Sequence, residues 1–437
     1  MTEHIKTQIL TTKLQLGMHV IELDKPWLDS DFLLQGFVIQ SQDEIDALNE
    51  QCGYVYIDGA VLSGDRRAVL KKRSNSTRKK EIKPKRFSTE KFIKEGMSCT
   101  PSPENAIRYV NKINVQREMP LASSTYKSAK VVAKNIIEGI RIGKMLDLNE
   151  AKAAVNDIVD SLLRNGDALV WLTKIKEKDA YTAEHSLNVC ILSIAFARFL
   201  GHEDADIRKI GLCGLLHDVG KSKIPIDILN KFEHFTDEEF VVMKGHPELG
   251  RDLLLSLPTS DLAVIDVAYS HHERIDGHGY PRQLSGHQIP YFAKIVALTD
   301  AYDAITSTRC YDVGRASMEA LDIIYKNKGS QFDRELAVEF IKCIGIYPPG
   351  SIVEMTNGEV GIIVEENESS KLRPKVILVQ DQSKHWMHQH IIDLSLRHLD
   401  PGNVPYTIAH EVPNGTYGID IKQFLKKGLV LKKAVMH

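Results

Sequence analysis

The sequence HDVGK at His217–Lys221 directly follows an apolar run that includes Ile210, Leu215 and Leu216. A second dense stretch, HHERIDGHGYP, stands further on at His271–Pro281. A histidine and an aspartate at the end of an apolar helix need polar partners, because unpaired polar groups are costly to bury. The two stretches therefore predict a buried polar site inside a helical core.

Length and composition describe a soluble, globular chain. The 437 residues exceed one ordinary core, so two or three domains are expected. The net charge is -2, and the six cysteines form no C-x-x-C pair, which suits a reducing compartment. The N-terminus shows no signal peptide, and the longest uncharged apolar stretch, Ser186–Ala197, is too short to span a bilayer. We therefore expect a cytoplasmic protein that is not bound to a membrane.

The chain changes character along its length. Residues 1–68 predict a small α/β module, and the basic stretch Lys71–Arg86 is typical of a solvated linker. From Asn111 to Gly345 the pattern is predominantly helical. The segment around Leu187–Phe199 is apolar on all sides, which predicts a buried helix that Gly201 ends. After Tyr347 the period becomes that of strands, which predicts a small β-rich extension outside the helical core.

Several shorter signals place individual elements. Thr236–Glu239 has the capping-box pattern that begins a helix, and Pro247 predicts a helix interruption or restart after His246. A further helix is expected over Pro290–Thr308. The Asn357-Gly358 dipeptide lies between two strand-like stretches and predicts a hairpin.

The helical region concentrates side chains that bind metals. Imidazole and carboxylate ligands without thiolate suit Fe, Mn or similar ions better than a structural zinc site. His217 and Asp218 leave a helix about 100° apart, so both could reach one metal, or the carboxylate could bridge two. The candidate ligands are His185, His217, Asp218, His246, His271, His272 and Asp300.

These motifs resemble the HD-GYP family, a subgroup of HD-superfamily phosphohydrolases that linearises and hydrolyses bacterial cyclic dinucleotides. YTAEHSLNV, LLHDVGK, GHPELG, HHERIDGHGYP and DAYDAITSTR occur in family order between Asp147 and Gly345. The resemblance implies an all-α HD-type catalytic domain over residues 147–347. Residues 1–68 would be an α/β module of no settled function, 69–146 a basic linker with connecting helices, and 348–437 a β-rich extension.

The resemblance also implies a site with two divalent metal ions, Fe or Mn. His185, His217, Asp218 and Asp300 would hold one ion, and Asp218 would bridge to a second held by His246, His271 and His272. A metal-bridging water or hydroxide would attack phosphorus and leave a 5′-phosphorylated linear dinucleotide. Lys221 would neutralise the growing phosphate charge. Tyr280 would contact the nucleotide, and Arg309 would reach a phosphate.

Two positions depart from the family pattern. A glutamate that supports a third metal in some members is replaced by Tyr181, which predicts a binuclear site because phenol is a poor ligand at neutral pH. Glu184 is not expected to substitute, because it faces another part of the helix surface. A substrate-contacting lysine is replaced by Asp312, which puts substrate affinity or preference in question.

Within the second motif, the turn Asp276–Pro281 uses glycines for backbone geometry that other residues resist. Glu273 and Arg274 are expected to hold this loop rather than to act in chemistry. No Walker, Rossmann or zinc-finger pattern is present, so no nucleic-acid polymer is expected as a partner.

The favoured function is a metal-dependent phosphodiesterase acting on cyclic di-GMP or 3′,3′-cyclic GMP-AMP. The alternative is a weakly active or inactive cyclic-dinucleotide receptor that signals through a protein partner, and Asp312 leaves room for it. Hydrolysis of an unrelated nucleotide is the third reading, which HHERIDGHGYP disfavours. The sequence leaves open whether the chain forms a homodimer.

Overall fold

The structure is a computed structural model that describes residues 6–24, 37–39, 42–58, 101, 105–174, 181–231, 233, 235–257, 261–307, 315–367, 370 and 372–421. These residues belong to two compact units, Met1–Thr89 and Glu90–His437. The chain is mainly helical, with a small sheet near each end, as the sequence predicts. The finer domain boundaries near residues 69, 147 and 348 stay predictions.

The first unit is a small α/β module. Its antiparallel sheet has the order β1-β4-β2-β3, formed by Lys6–Leu10, Tyr54–Asp58, His19–Leu23 and Phe37–Val38. One helix, α1 (Gln42–Gln51), packs its Ile45 and Leu48 side chains into a core with Val20, Val55 and Ile57. This part of the chain therefore has a core of its own.

The second unit contains most of the helices. Helix α2 is the longest, and α5, α6 and α11 pack against one another at the centre. The helices are α2 (Val115–Arg141), α3 (Leu148–Arg164), α4 (Ala168–Leu172), α5 (Tyr181–Phe199), α6 (Asp204–Leu216), α7 (Ile226–Leu229), α8 (Asp237–Met243), α9 (His246–Leu255), α10 (Leu262–Ser270), α11 (Tyr291–Thr306), α12 (Ser317–Lys326) and α13 (Arg334–Ile344).

Helix α5 is buried as its apolar sequence predicts. Leu187, Ile191 and Phe196 have almost no exposed surface, and the helix ends before Gly201, whose φ is +80°. Phe199 departs from the prediction because 40% of its surface remains exposed. It occupies the last helical position, at the point where the helix ends.

The predicted capping residues and prolines mark where three of these helices begin. The Thr236 side chain accepts a bond from the Glu239 N–H, and the Glu239 carboxylate accepts one from the Thr236 N–H, so the expected capping box begins α8. Pro247 occupies the first turn of α9, where its missing N–H costs no helical hydrogen bond. Helix α11 follows Pro290 and carries Asp300, as predicted.

The C-terminal sheet has five antiparallel strands in the order β8-β7-β6-β5-β9. Strands β5 and β6 form the predicted hairpin, and Gly358 in its turn has φ +87°. The strands are β5 (Ile352–Met355), β6 (Val360–Glu365), β7 (Lys375–Gln380), β8 (Trp386–Asp393) and β9 (Ile408–Val412).

The sheet is joined to the helices more closely than the sequence suggests. Trp171 of α4 is fully buried in the same apolar cluster as Ile352, Val360 and Ile377 of the sheet. The predicted β-rich extension is present, and one helical side chain completes the apolar core on one face of its sheet. Strand periodicity reports which face is apolar but not what covers it.

Some predictions fall outside the described residues, namely the linker Lys71–Arg86 and the substrate positions Arg309 and Asp312. Among the helices that are described, none combines the length and apolarity that crossing a bilayer requires.

Candidate metal centre

The structure brings all seven predicted ligands together. They form two groups, and within each group all the ligand atoms lie within 4.8 Å of one another. The first group is Asp218, His246, His271 and His272, and the second is His185, His217 and Asp300. Helix ends deliver most of them: His217 is the residue after α6, His246 begins α9, and His271 follows α10. His185 and Asp300 project from within α5 and α11.

Asp218 faces both groups with different oxygens. Its Oδ1 lies 3.2 Å from His246 Nε2 and 3.6 Å from His271 Nε2. Its Oδ2 lies 3.3 Å from His217 Nε2 and 3.6 Å from His185 Nε2. A carboxylate with one oxygen toward each ligand set has the arrangement required to bridge two ions.

The imidazoles are oriented by their other nitrogens. His217 Nδ1 lies 2.7 Å from the Gly214 carbonyl oxygen, and His246 Nδ1 lies 2.8 Å from the Met243 carbonyl oxygen. His271 Nδ1 lies 3.1 Å from the Ala268 carbonyl oxygen. A carbonyl only accepts, so each Nδ1 carries the proton and each Nε2 has a free lone pair toward the centre. This is the usual preparation of a metal-binding histidine.

Buried atoms in the centre fit a metal ion. His217 Nε2 and Asp218 Oδ1 are buried, and neither makes a hydrogen bond within the part of the chain that is described. Native proteins rarely leave such atoms without a partner unless another group satisfies them. The donors are nitrogen and oxygen without sulfur, a ligand set that suits a divalent metal ion.

The surroundings of the histidines shift their pKa values in opposite directions. Burial, together with neighbouring imidazoles, lowers the pKa of His272, and burial lowers the pKa of His271 to about 4. Burial also opposes protonation of His185, but hydrogen bonds with Asp300 and Asp303 outweigh it and raise the pKa of His185 to about 9. Burial likewise opposes ionisation of Asp218, yet the Lys221 ammonium holds its pKa well below the usual range.

Asp303 is a site residue that the sequence reasoning missed. Its Oδ2 lies 2.8 Å from His185 Nδ1, and its Oδ1 accepts a 3.2 Å bond from the Asn188 amide. The carboxylate is 1% exposed, so these bonds are made away from water. The signal was present in the sequence, because Asp303 stands one helical turn after the candidate ligand Asp300.

The predicted substrate-facing residues lie beside the ligands. Lys221 Nζ pairs with Asp218 Oδ2. The Tyr280 ring stacks on His272, with centroids 4.7 Å apart and planes at 27°. Both rings, with Asp300, line a pocket of about 300 Å³ that also includes Phe240 and Lys244 of the α8 segment. Sequence reasoning did not select these last two residues.

The loop that follows His271 and His272 and carries Tyr280 is held in place by hydrogen bonds among its own residues. Glu273 is buried and accepts bonds from the Arg282 and Leu284 N–H groups at 2.7 and 2.9 Å. Arg274 forms a two-point contact with Asp276. Gly277 has φ +76°, as the turn requires. These contacts agree with the expected structural roles of Glu273 and Arg274.

Glu184 pairs with Lys130 of α2 and is directed into that contact. This agrees with the expectation that it does not replace the missing family glutamate. Tyr181 begins α5, but its side chain lies outside what is described, as do Arg309 and Asp312. The preference for two metal ions over three therefore stays a prediction.

Comparison with known proteins matches two family models. One, described as "HD domain", covers residues 171–336, and one described as "Domain of unknown function (DUF3391)" covers residues 6–151. A solved structure of a HDG"Y"P protein from Bdellovibrio bacteriovorus covers 78% of this chain and 99% of its own, with 17% identity and a TM-score of 0.44.

Two relatives illustrate the similarity in sequence. A 3′3′-cGAMP-specific phosphodiesterase of Vibrio cholerae is 31% identical over 175 residues, which are 40% of this chain and 38% of that protein. A cyclic di-GMP phosphodiesterase of Pseudomonas aeruginosa is 35% identical over 391 residues, which are 89% of this chain and 88% of that protein. The second match spans nearly the whole of both chains, so this chain belongs to the HD-GYP family of HD-domain phosphohydrolases.

Proposed function

We propose that this chain is a metal-dependent phosphodiesterase that hydrolyses a 3′,3′-cyclic dinucleotide, cyclic di-GMP or cyclic GMP-AMP, to a 5′-phosphorylated linear dinucleotide. The observation that carries the proposal is the orientation of the Asp218 carboxylate, whose Oδ1 faces one group of histidines and whose Oδ2 faces the other. The similarity to phosphodiesterases of both substrate types supports the substrate class.

His185, His217 and Asp300 would hold one divalent ion, His246, His271 and His272 a second, and Asp218 both. Ions bound there would supply Lewis-acid activation of water and stabilise charge on the attacking and leaving oxygens. The ligand types favour Fe or Mn. The low pKa values of His271 and His272 keep both imidazoles neutral, and therefore able to bind an ion, at physiological pH.

Three other side chains would handle the substrate. Lys221 reaches the centre through Asp218, so its ammonium is placed to offset the charge that develops on a phosphate. Tyr280 lies against His272 and offers a ring at the edge of the same pocket. Arg309, named from the family resemblance alone, is proposed for a phosphate contact.

Product analysis tests the activity. Protein purified without oxygen and analysed for metals is incubated with each cyclic dinucleotide, and products are separated by ion-exchange chromatography. We expect a linear dinucleotide with a 5′-phosphate, formed faster from one of the two substrates. Protein that carries two ions yet converts neither substrate would contradict the proposal.

Metal counting tests the assignment of ligands separately from catalysis. His185→Ala and His246→Ala should each lower the bound metal from two ions to one, whereas Asp218→Ala should lose both. His385→Ala is the control, since that side chain is 82% exposed in the turn between β7 and β8. A third ion in the wild type, or full loading of the Asp218 variant, would overturn the binuclear assignment.

A further inference from the structure

The short helix α8 carries an exposed aromatic ring beside the metal centre. None of its described residues is buried, and Phe240 keeps 47% of its surface exposed. Yet Phe240 and Lys244 line the pocket of about 300 Å³ that His271, His272 and Asp300 also line. Packing within the chain does not explain a half-exposed phenyl ring at that position, whereas a ligand with flat aromatic groups would.

The ammonium group of Lys244 lies beside two aromatic rings of this pocket. Its Nζ lies 4.4 Å from the centre of the Phe240 ring and 5.4 Å from the centre of the Tyr280 ring. Its backbone N–H closes the last turn of α8 on the Phe240 carbonyl, so the two residues stand one helical turn apart on the same face.

The charge of Lys244 is available to a ligand. In the part of the chain that the structure describes, no carboxylate lies within ion-pair distance of this ammonium. Arg274, another cation that lines the pocket, is instead occupied by Asp276 at 2.7 Å. The aromatic rings leave the charge of Lys244 uncompensated, because cation–π contacts attract an ammonium without neutralising it.

We propose that Phe240 and Lys244 form a second substrate subsite, in which the Phe240 ring stacks on one purine and Lys244 binds the phosphate that is not cleaved. The inference rests on the proposed function, since a cyclic dinucleotide brings two phosphates and two purines to one pocket. The metal ligands and Lys221 serve one phosphate. Base stacking on an aromatic ring and a lysine contact to phosphate are standard modes of nucleotide recognition.

The test compares two substrates in variants of the complete, metal-loaded chain. Phe240→Ala and Lys244→Gln are assayed with the cyclic dinucleotide and with methyl p-nitrophenyl phosphate, which has one phosphate, no purine and no aromatic group besides its leaving group. We expect KM for the cyclic dinucleotide to rise roughly tenfold or more in each variant. Turnover of the small diester, metal content and thermal midpoint should stay at wild-type values.

Matched controls separate this subsite from general effects on α8 and on charge. Val241→Ala changes a 70% exposed neighbour on the same helix, and Lys152→Gln removes an exposed lysine that does not line the pocket. Both should keep wild-type KM for both substrates. Unchanged KM for the cyclic dinucleotide in Phe240→Ala and Lys244→Gln, or an equal loss on both substrates, would overturn the subsite.

Equilibrium binding distinguishes failure of the subsite from failure of the proposed function. If the wild type binds the cyclic dinucleotide without cleaving it, the phosphodiesterase proposal fails, and the subsite is decided by whether the two variants weaken binding about tenfold. If the wild type neither binds nor cleaves any cyclic dinucleotide, both proposals fall.

Discussion

Asp303 Oδ2 lies 2.8 Å from His185 Nδ1, so a buried carboxylate orients an imidazole that faces the metal centre with its other nitrogen. Asn188 and Ser307 donate further hydrogen bonds to the same carboxylate, at 3.2 Å each. These three groups act as donors, and a carboxylate with two acceptor oxygens satisfies all of them.

Replacing Asp303 by asparagine should weaken metal binding although the side chain keeps its shape. The amide nitrogen would face a donor from His185 or Asn188, so the imidazole would lose its fixed orientation. We expect metal affinity or turnover to fall about 10- to 100-fold, as for other groups that orient metal ligands. Affinity is measured by competition with a chelator.

The control for this substitution is Asp322→Asn, which removes a carboxylate from a surface pair with Lys326. It should leave metal affinity unchanged. If Asp303→Asn retained wild-type affinity and activity, the orienting role of Asp303 would be refuted.

Metal binding should release a proton from His185. Its pKa is raised to about 9, so at pH 7.5 the metal-free protein holds this imidazole protonated, and Nε2 must lose its proton before it can bind an ion. Apparent metal affinity should therefore rise with pH, by up to about tenfold per unit, and level off above pH 9.

Calorimetric titration at pH 7.5 in buffers of different ionisation enthalpy measures this proton release. We expect about one proton from His185 in the wild type, and less in Asp303→Asn, because one of the two carboxylates that raise the pKa is gone. Binding that is independent of pH from 7 to 9 would be incompatible with a protonated His185.

The seven candidate ligands could be selected from the sequence because their residue types and motifs are local signals, whereas the residues that orient them are set by the fold. Asp303 was visible only as a helical neighbour of Asp300, and nothing in the sequence indicated that it reaches His185, 118 positions earlier. Phe240 and Lys244 read as ordinary helix residues. They become pocket residues only because α8 lies beside the loop that carries Tyr280.

Gly220→Ala should separate the two groups of ligands. A Cβ at Gly220 would lie 2.0 Å from the His246 carbonyl oxygen and 2.5 Å from the Gly250 nitrogen, so the turn after Asp218 and helix α9 would have to move apart. We expect destabilisation of about 1–3 kcal/mol and loss of the ion assigned to His246. Chemical denaturation and metal analysis measure the two effects.

Gly139→Ala provides the comparison in the last turn of α2. There the nearest atom to an added Cβ is Lys144 Cβ at 3.7 Å, which is an ordinary contact. Alanine is the better helix former by about 1 kcal/mol, so this variant should be as stable as the wild type or more so. A Gly220 variant with both ions and full stability would show that the close approach is not required.

Trp171 should couple the C-terminal sheet to the helices. The indole is fully buried among sheet residues, and Gly350, with φ +86°, passes so close that an added Cβ would lie 1.8 Å from the indole Cδ1. Trp171→Ala would leave a cavity between α4 and the sheet, and we expect the free energy of unfolding to fall by about 3–5 kcal/mol.

The indole N–H is buried without a hydrogen bond among the described residues, so Trp171→Phe removes an unsatisfied donor while it keeps most of the apolar volume. That variant should lose less than about 1.5 kcal/mol. Both values come from denaturant unfolding followed by circular dichroism. Equal losses in the two variants would mean that volume at this position does not stabilise the contact. An Ala variant as stable as the wild type would mean that the sheet does not depend on this contact.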